Sequence, residues 1–335
     1  MVSEGSILVT GAAGFIGFHT CERLLTLGVT VIGLDNLNDY YDVGLKQARL
    51  DILRNFENFR FVEGDVCDGQ LLAGLLASGP KAVIHLAAQA GVRYSLEHPE
   101  AYVHSNLVGF GTVLEACRRF EVGHLLYASS SSVYGGNSKV PFSEGDPVDH
   151  PVSFYAATKR SNEIMADSYS HLYKLPATGL RFFTVYGPWG RPDMAYFSFT
   201  DAFFGNRVIS VYSGENGEDL SRDFTYVDDV VDSVLALIAL APSGNRPHRI
   251  LNIGGSSPIK LQRFISTLEE SLTEVLGRHA EFAKIHEGMK PGDVPVTFAD
   301  PSELVRLVGS KPGTALKDGL KRFAEWYVSY YQPGV

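Results

Sequence analysis

Tyr155 and Lys159 stand four residues apart in Tyr155-Ala156-Ala157-Thr158-Lys159, a spacing that puts both side chains on one face of a helix. A phenol with an ordinary pKa of about 10 is a poor base at neutral pH, but a neighbouring ammonium favours its phenolate, and each unit of depression is worth about 1.4 kcal/mol. The pair is a candidate for moving a proton on and off a hydroxyl. Taken alone it could equally decorate a surface helix, so its companions decide. Upstream, Gly11-Ala12-Ala13-Gly14-Phe15-Ile16-Gly17 follows a β-branched run and leads into a helical pattern. Glycines there permit a tight turn and close backbone approach, so that amides at the helix N-terminus can hold a pyrophosphate. Asp35 ends the next apolar run, at the spacing expected for a carboxylate that accepts hydrogen bonds from an adenosine ribose. An acid in that place disfavours a 2′-phosphate, which points to NAD rather than NADP; capping a strand end is the other use of such an aspartate. A hydroxyl-rich segment, Tyr127 to Gly135 with serines at 129, 130, 131 and 132, lies where a strand would open into the ligand crevice of a parallel sheet.

The elements that must position these residues are legible as a rhythm. Apolar β-branched runs at Ile7 to Thr10, Val29 to Leu34, Phe59 to Glu63, Ala82 to Leu86, His124 to Ala128 and Ala177 to Phe182 alternate with helical patterns. The glycine turn leads into a helix expected over Phe18 to Leu27, and the longest helical candidate is Tyr155 to Tyr173, with a companion over roughly Ala101 to Phe120. Strand, helix, strand repetition implies a parallel sheet covered on both faces. The expected fold is α/β: a Rossmann-type doubly wound parallel sheet with a smaller C-terminal substrate-binding lobe. The two long helices could pair with a second subunit or pack on their own sheet. Beyond Phe183, Pro188, Gly190, Pro192, Gly214, Gly217, Pro291, Gly292 and Pro295 mark loops. The division expected is therefore an NAD-binding domain over 1–183, with returning segments near 224–255, and a mainly substrate-binding domain over 184–335. Arg249 to Ile253 reads as a returning buried strand and Val227 to Leu240 as its covering helix. No internal repeat appears.

Composition narrows the partners. The 335 residues are 45% hydrophobic and 20% charged, and 38 acidic residues against 29 basic give a formal charge of −9, so without a compensating basic stripe the surface repels phosphodiester backbones. The adjacent basic pairs Arg118-Arg119, Lys159-Arg160 and Lys321-Arg322 do not form one, and nucleic acid is not expected. Cys21, Cys67 and Cys117 lack a CxxC spacing, and the ten histidines show no HExxH, so neither disulfides nor a metal are expected. The longest apolar run, Val234 to Ala241, is far short of the roughly 20 residues of a spanning helix. With Glu4 where a signal peptide would carry positive charge, no membrane association and a cytoplasmic setting are expected.

The GxxGxxG turn, the Tyr155/Lys159 pair and the serine-rich strand end together resemble the extended short-chain dehydrogenase/reductase family, over almost the whole chain. That resemblance implies a cofactor site of Gly11, Gly14, Phe15, Ile16, Gly17 and Asp35. It adds Asp65 and Val66 of Gly64-Asp65-Val66 beside the adenine, and Leu86, Ala87, Ala88 and Gln89 along the cofactor, with Tyr155 and Lys159 reaching the same site. It also implies that Ser130, three before Val133, completes a triad with Tyr155 and Lys159, its hydroxyl bridging the substrate hydroxyl and the phenol, and the positive nicotinamide of the cofactor is expected to join Lys159 in favouring the phenolate.

Within that family, Gln89-Ala90-Gly91-Val92-Arg93-Tyr94-Ser95 and the segment from Leu180 to Met194 are most similar to the UDP-glucuronate 4-epimerases. UDP-galactose 4-epimerases carry Asn where Thr184 stands, and sugar-nucleotide dehydratases and decarboxylases carry acids where Ser131 and Ser132 stand. Loss of water across C5 and C6 needs an additional acid and base that two serines cannot supply. Ser131, Ser132 and Thr184 are instead expected to hold the C5 carboxylate. The resemblance further places Arg93, Arg191 and Arg222 in the substrate site, the last two on its diphosphate, and Asp293 on the uridine ribose. The activity implied is NAD-dependent interconversion of UDP-glucuronate and UDP-galacturonate through a 4-keto sugar, by a homodimer. The rivals are a UDP-glucuronate decarboxylase, another UDP-sugar 4-epimerase, or a catalytically silent NAD-binding regulator.

Overall fold

The computed structural model describes residues 5–214, 217–290 and 293–332; Glu4, Pro291 and Gly292 lie outside them. Short β-branched segments form the strands β1 (Ile7–Thr10), β2 (Val31–Asp35), β3 (Phe59–Glu63), β4 (Ala82–His85), β5 (His124–Ser130) and β6 (Ala177–Phe182). Between them run α1 (Phe15–Thr26), α2 (Val43–Leu53), α3 (Gly69–Leu76), the short α4 (Tyr94–Glu97) and α5 (Pro99–Tyr102), α6 (Gly109–Arg119) and α7 (Phe154–Tyr173). The chain continues through β7 (Thr184–Tyr186), α8 (Ala195–Phe204), β8 (Ile209–Ser213), β9 (Ser221–Tyr226), α9 (Val227–Ile238) and β10 (His248–Ile253). It ends with β11 (Pro258–Lys260), α10 (Leu261–Leu276), β12 (Lys284–Gly288), β13 (Val296–Thr297), α11 (Ser302–Val308) and α12 (Leu316–Tyr331).

Seven parallel strands form the central sheet in the order β10-β6-β5-β4-β1-β2-β3. Alternate residues serve its two faces, as the twofold period of a strand requires. Ile7, Val9, Val31 and Ile84 belong to a core with α1 and α9, whereas Leu8, Ile32 and Val83 meet Leu72 of α3, Phe110 and Leu114 of α6 and Ala166 of α7. The strand order reverses between β1 and β4, and the crevice beyond their carboxyl ends is where an open α/β sheet takes a ligand.

Two boundaries differ from the sequence expectation for local reasons. The first helix begins at Phe15 rather than Phe18, because Gly14 has extended φ/ψ and serves as N-cap. The helix expected over 101–120 is interrupted by a π-helical turn at Val103–Val108. Asn106 in that turn is buried and exchanges hydrogen bonds with the backbone of Gln89, and its carbonyl accepts from the Asn162 side chain at 2.6 Å. A wide turn frees that carbonyl for a partner outside the helix.

After β6 the chain builds smaller sheets. β9 pairs with β7, β11 and β13, and β8 pairs with β12. It then returns: α9 packs on α1 with Arg23 to Asp232 at 2.8 Å, and β10 lies along β6 at the edge of the central sheet. One buried apolar cluster runs without a break from Val9 and Leu180 through Tyr186 and Val227 to Phe264 and Phe323. Among the described residues no helix is long and apolar enough to cross a membrane.

Candidate active site

The glycine turn exists because side chains do not fit there. Gly11 has φ +72°, and a Cβ on Gly17 would sit 1.9 Å from the Gly11 carbonyl oxygen. Asp35 braces the turn: one carboxylate oxygen accepts from Ala13 N at 3.0 Å and the other from Leu37 N at 2.9 Å. It therefore organises its own strand end and still lines the crevice. The N-cap of α1 offers no side-chain acceptor, which leaves first-turn amides for an anion. A cavity follows from this turn along the strand ends. It is lined by Gly11, Gly14, Phe15, Ile16, Gly17 and Asp35, then by Val66, Leu86, Ala87, Ala88 and Gln89, and finally by Ser130, Tyr155 and Lys159. These residues fit a dinucleotide: a cradle that admits no Cβ, an uncapped helix and a carboxylate at the second strand end.

Asp65 is the one sequence-derived cofactor residue absent from this lining. Its carboxylate turns to Cys67 N at 2.8 Å, to the Asn36 amide at 3.0 Å and toward His104 at 3.4 Å. Those hydrogen bonds hold its pKa below the ordinary value against the opposing effect of burial. Asp65, Cys67 and His104 bring one potential metal-ligand atom each within 4.8 Å of one another, a grouping that sequence spacing did not suggest.

A second cavity meets the first. Ala90, Ser130, Tyr155, Phe182, Phe183, Arg191, Met194 and Tyr40 line both. Every substrate candidate named from sequence, Arg93, Ser131, Ser132, Thr184, Arg191, Arg222 and Asp293, borders the second. Arg191 and Arg222 line the same cavity with different neighbours. Arg191 grips Asp193 with Nε at 3.0 Å and Nη2 at 2.9 Å and acts electrostatically on Tyr155, whereas Arg222 shares its surroundings with Arg93 and Asp293. Arg93 donates to Asp293 at 3.0 Å and lies over the Tyr212 ring.

At the junction, Ser130 accepts from Ser132 twice, from its amide at 3.2 Å and its hydroxyl at 2.9 Å. Its own proton is thereby free to point toward the Tyr155 phenol, whose charged form it favours. Lys159 is buried and donates to the Ala128 carbonyl at 3.0 Å. In the chain alone burial raises the pKa of the Tyr155 phenol, opposed by the Ser130 hydroxyl and by Arg191. Burial also lowers the Lys159 ammonium to about 8. Desolvation disfavours the charged form of both groups.

Sequence reasoning missed the residues behind this junction. Ser129 donates to Glu163 at 2.6 Å, and Glu163 receives a two-pronged pair from Arg181 at 2.8 and 2.9 Å, all three side chains buried. This network ties the end of β5, which carries Ser130, to α7, which carries Tyr155 and Lys159. Glu163 falls four residues after Lys159 on the same helix face, which is the signal that could have found it.

The profile of the NAD dependent epimerase/dehydratase family matches residues 7–254. A probable UDP-glucuronate 4-epimerase of Rhizobium meliloti (strain 1021) is 48% identical over 344 residues, covering 97% of this chain and 97% of that protein. UDP-glucuronate 4-epimerase 1 of Arabidopsis thaliana is 48% identical over 337 residues, covering 97% of this chain and 77% of that protein. Among solved structures, the UDP-glucuronic acid 4-epimerase from Bacillus cereus in complex with UDP-glucuronic acid and NAD superposes with a TM-score of 0.86 at 32% identity, covering 97% of this chain and all of that one.

Proposed function

Because this chain belongs to the NAD dependent epimerase/dehydratase family, we propose that it converts UDP-glucuronate to UDP-galacturonate by NAD-dependent epimerisation at C4, through a 4-keto sugar. The observation that carries this reading is the wall shared by the two cavities. Ser130 and Tyr155 face both a dinucleotide-shaped crevice and a second chamber bordered by Ser131, Ser132 and Thr184.

NAD, when bound, supplies the hydride acceptor and donor. The chain's own residues do the rest. Gly11, Gly14, Phe15, Ile16 and Gly17 hold the pyrophosphate and Asp35 the adenosine ribose. Val66, with Asp65 behind it, borders the adenine, and Leu86 to Gln89 line the path to the junction. Tyr155 takes the proton from the C4 hydroxyl, Ser130 bridges that hydroxyl and the phenol, and Lys159 holds the positive charge behind them. Arg191 and Arg222 meet the diphosphate, Asp293 the uridine ribose, and Arg93, paired with Asp293, borders the same end. The keto sugar turns over before reduction on its other face. It is a β-keto acid, and loss of carbon dioxide requires the C5 carboxylate bond to stand perpendicular to the carbonyl plane. Ser131, Ser132 and Thr184 anchor the carboxylate out of that alignment. No acid occupies positions 131 or 132, which disfavours dehydration and the decarboxylase reading.

In this reading residues 1–183, with returning segments near 224–255, bind NAD, and 184–335 mainly bind the substrate. The protein is a cytoplasmic homodimer, paired through Val103, Val108, Ile164 and Leu172, which are exposed beside and along α7. The test is incubation of the purified protein with UDP-glucuronate and chromatography of the products. UDP-galacturonate without UDP-pentose is expected, and UDP-pentose with carbon dioxide would overturn the assignment. Tyr155→Phe should retain NAD and lose turnover by roughly a hundredfold or more; equal turnover would remove Tyr155 from the mechanism.

A further inference from the structure

Arg49 on α2 is fully buried, and no described carboxylate lies within ion-pair distance of it. Its guanidinium donates instead to neutral oxygens: Ala13 O at 2.7 Å, the Tyr41 hydroxyl at 2.7 Å, Trp189 O at 2.6 Å and Gly190 O at 3.1 Å, while its Nε has no partner. A buried cation without a counter-ion is costly, and carbonyl dipoles offset only part of that cost.

The positions of those carbonyls give the cation a purpose. Ala13 lies inside the glycine turn, where Asp35 takes its amide and Arg49 its carbonyl. The peptide is thereby fixed from both sides. Among the described residues the buried charges around this turn are the cations Arg49 and Lys46 and the carboxylate Asp35, with Asp39 also acting on Lys46; Lys46 lines the cofactor cavity, whereas Arg49 reaches it through the Ala13 carbonyl of the turn. Trp189 and Gly190 lie at the other end, immediately before Arg191. Trp189 has φ +58°, in the left-handed region that a bulky residue avoids. The same segment is held a second time by His19 of α1, whose Nε2 is 2.9 Å from Pro188 O. Two helices of the central sheet thus grip the strand of chain that delivers Arg191 to the junction.

We propose that Arg49 is a positioning residue whose charge is balanced by the pyrophosphate of the dinucleotide and whose fork joins the glycine turn to the 188–191 segment, so that filling the cofactor cavity sets the sugar-nucleotide cavity. The proposal rests on the NAD reading given above.

The test compares wild type, Arg49→Gln and Arg49→Lys, each stripped of NAD. The readouts are melting temperature with and without added NAD, NAD affinity, and KM and kcat for UDP-glucuronate. Arg49→Gln removes the charge, so its NAD affinity should fall roughly tenfold or more, with a smaller NAD-induced rise in melting temperature. Arg49→Lys keeps the charge but cannot span both carbonyl sites. It should hold NAD nearly as wild type does while KM for UDP-glucuronate rises roughly tenfold and kcat changes less. Equal lowering of the melting temperature with and without NAD, at wild-type NAD affinity, would mean scaffolding only and overturn the proposal. If Arg49→Gln does not fold, an unchanged KM in Arg49→Lys overturns it instead. Wild-type protein that gives no response to NAD would refute the cofactor reading, and this inference with it.

Discussion

Replacing Lys159 with methionine should change how the stability of NAD-free protein depends on pH, by an amount the structure sets. The Lys159 ammonium is buried against the Ala128 carbonyl with no carboxylate in ion-pair reach among the described residues, and its pKa falls from 10.5 to about 8. At about 1.4 kcal/mol per unit, keeping it charged in the folded protein costs about 3 kcal/mol. The cost is present in full below about pH 8, where folded and unfolded chains both carry the proton. Between about pH 8 and the unfolded value the unfolded chain binds more protons, so stability rises with pH, and above that value the cost is gone. Methionine never bears it. With an unfolding entropy of about 2.1 cal/mol/K per residue, 3 kcal/mol in a chain of this length corresponds to about 4 °C. Calorimetry of both proteins, NAD-free, from about pH 7 to about pH 11 should show the methionine variant losing about 4 °C relative to wild type as pH rises. The lost donor to Ala128 shifts the variant equally at every pH and drops out of this difference. A difference in melting temperature that stays constant with pH would refute the argument. The same variant should be inactive, so that the destabilising charge is one that catalysis requires.

Gly17→Ala places a methyl group 1.9 Å from the Gly11 carbonyl oxygen; the turn must open, and the NAD content of the purified protein should fall at least tenfold by roughly the energy of one or two charge-assisted hydrogen bonds. Glu163→Ala leaves Arg181 buried and unpaired, and should lower stability by about 3 to 5 kcal/mol in chemical denaturation; a loss no larger than that of an exposed ion pair would show the network to be idle. Thr184→Val removes a hydroxyl from the carboxylate anchor and should raise the proportion of UDP-pentose among the products. An unchanged product ratio counts against that role.

The seven-strand sheet and the junction residues were legible because their signals are local. A glycine turn, a strand-end acid, a pair four residues apart and a hydroxyl run each lie within a few residues, and alternating apolar runs supply the strands between them. What escaped depends on distant partners. Arg49 reads as one basic residue of an amphipathic helix until Trp189 and Gly190 arrive from 140 positions away. The π-helical turn at Val103–Val108 is invisible to a 3.6-residue period, since its cause is Asn106 meeting Gln89 and Asn162. The burial of Tyr155 and Lys159 escaped as well: their proximity can be read from spacing, but the removal of both groups from water cannot.

The return of β10 to the edge of the central sheet has a practical outcome for anyone who wishes to cut the protein. A fragment ending near Phe183 would keep every glycine of the turn and the Tyr155/Lys159 pair, yet would leave β6 as a bare border whose backbone groups facing away from β5 are unpaired over Ala177–Phe182. Such an edge recruits neighbouring chains. It would also strip α1 of its cover by α9 and expose a broad apolar flank. The seven-stranded sheet is therefore not a module to be excised or grafted; it is finished only when the polypeptide has travelled out through the smaller sheets and come back.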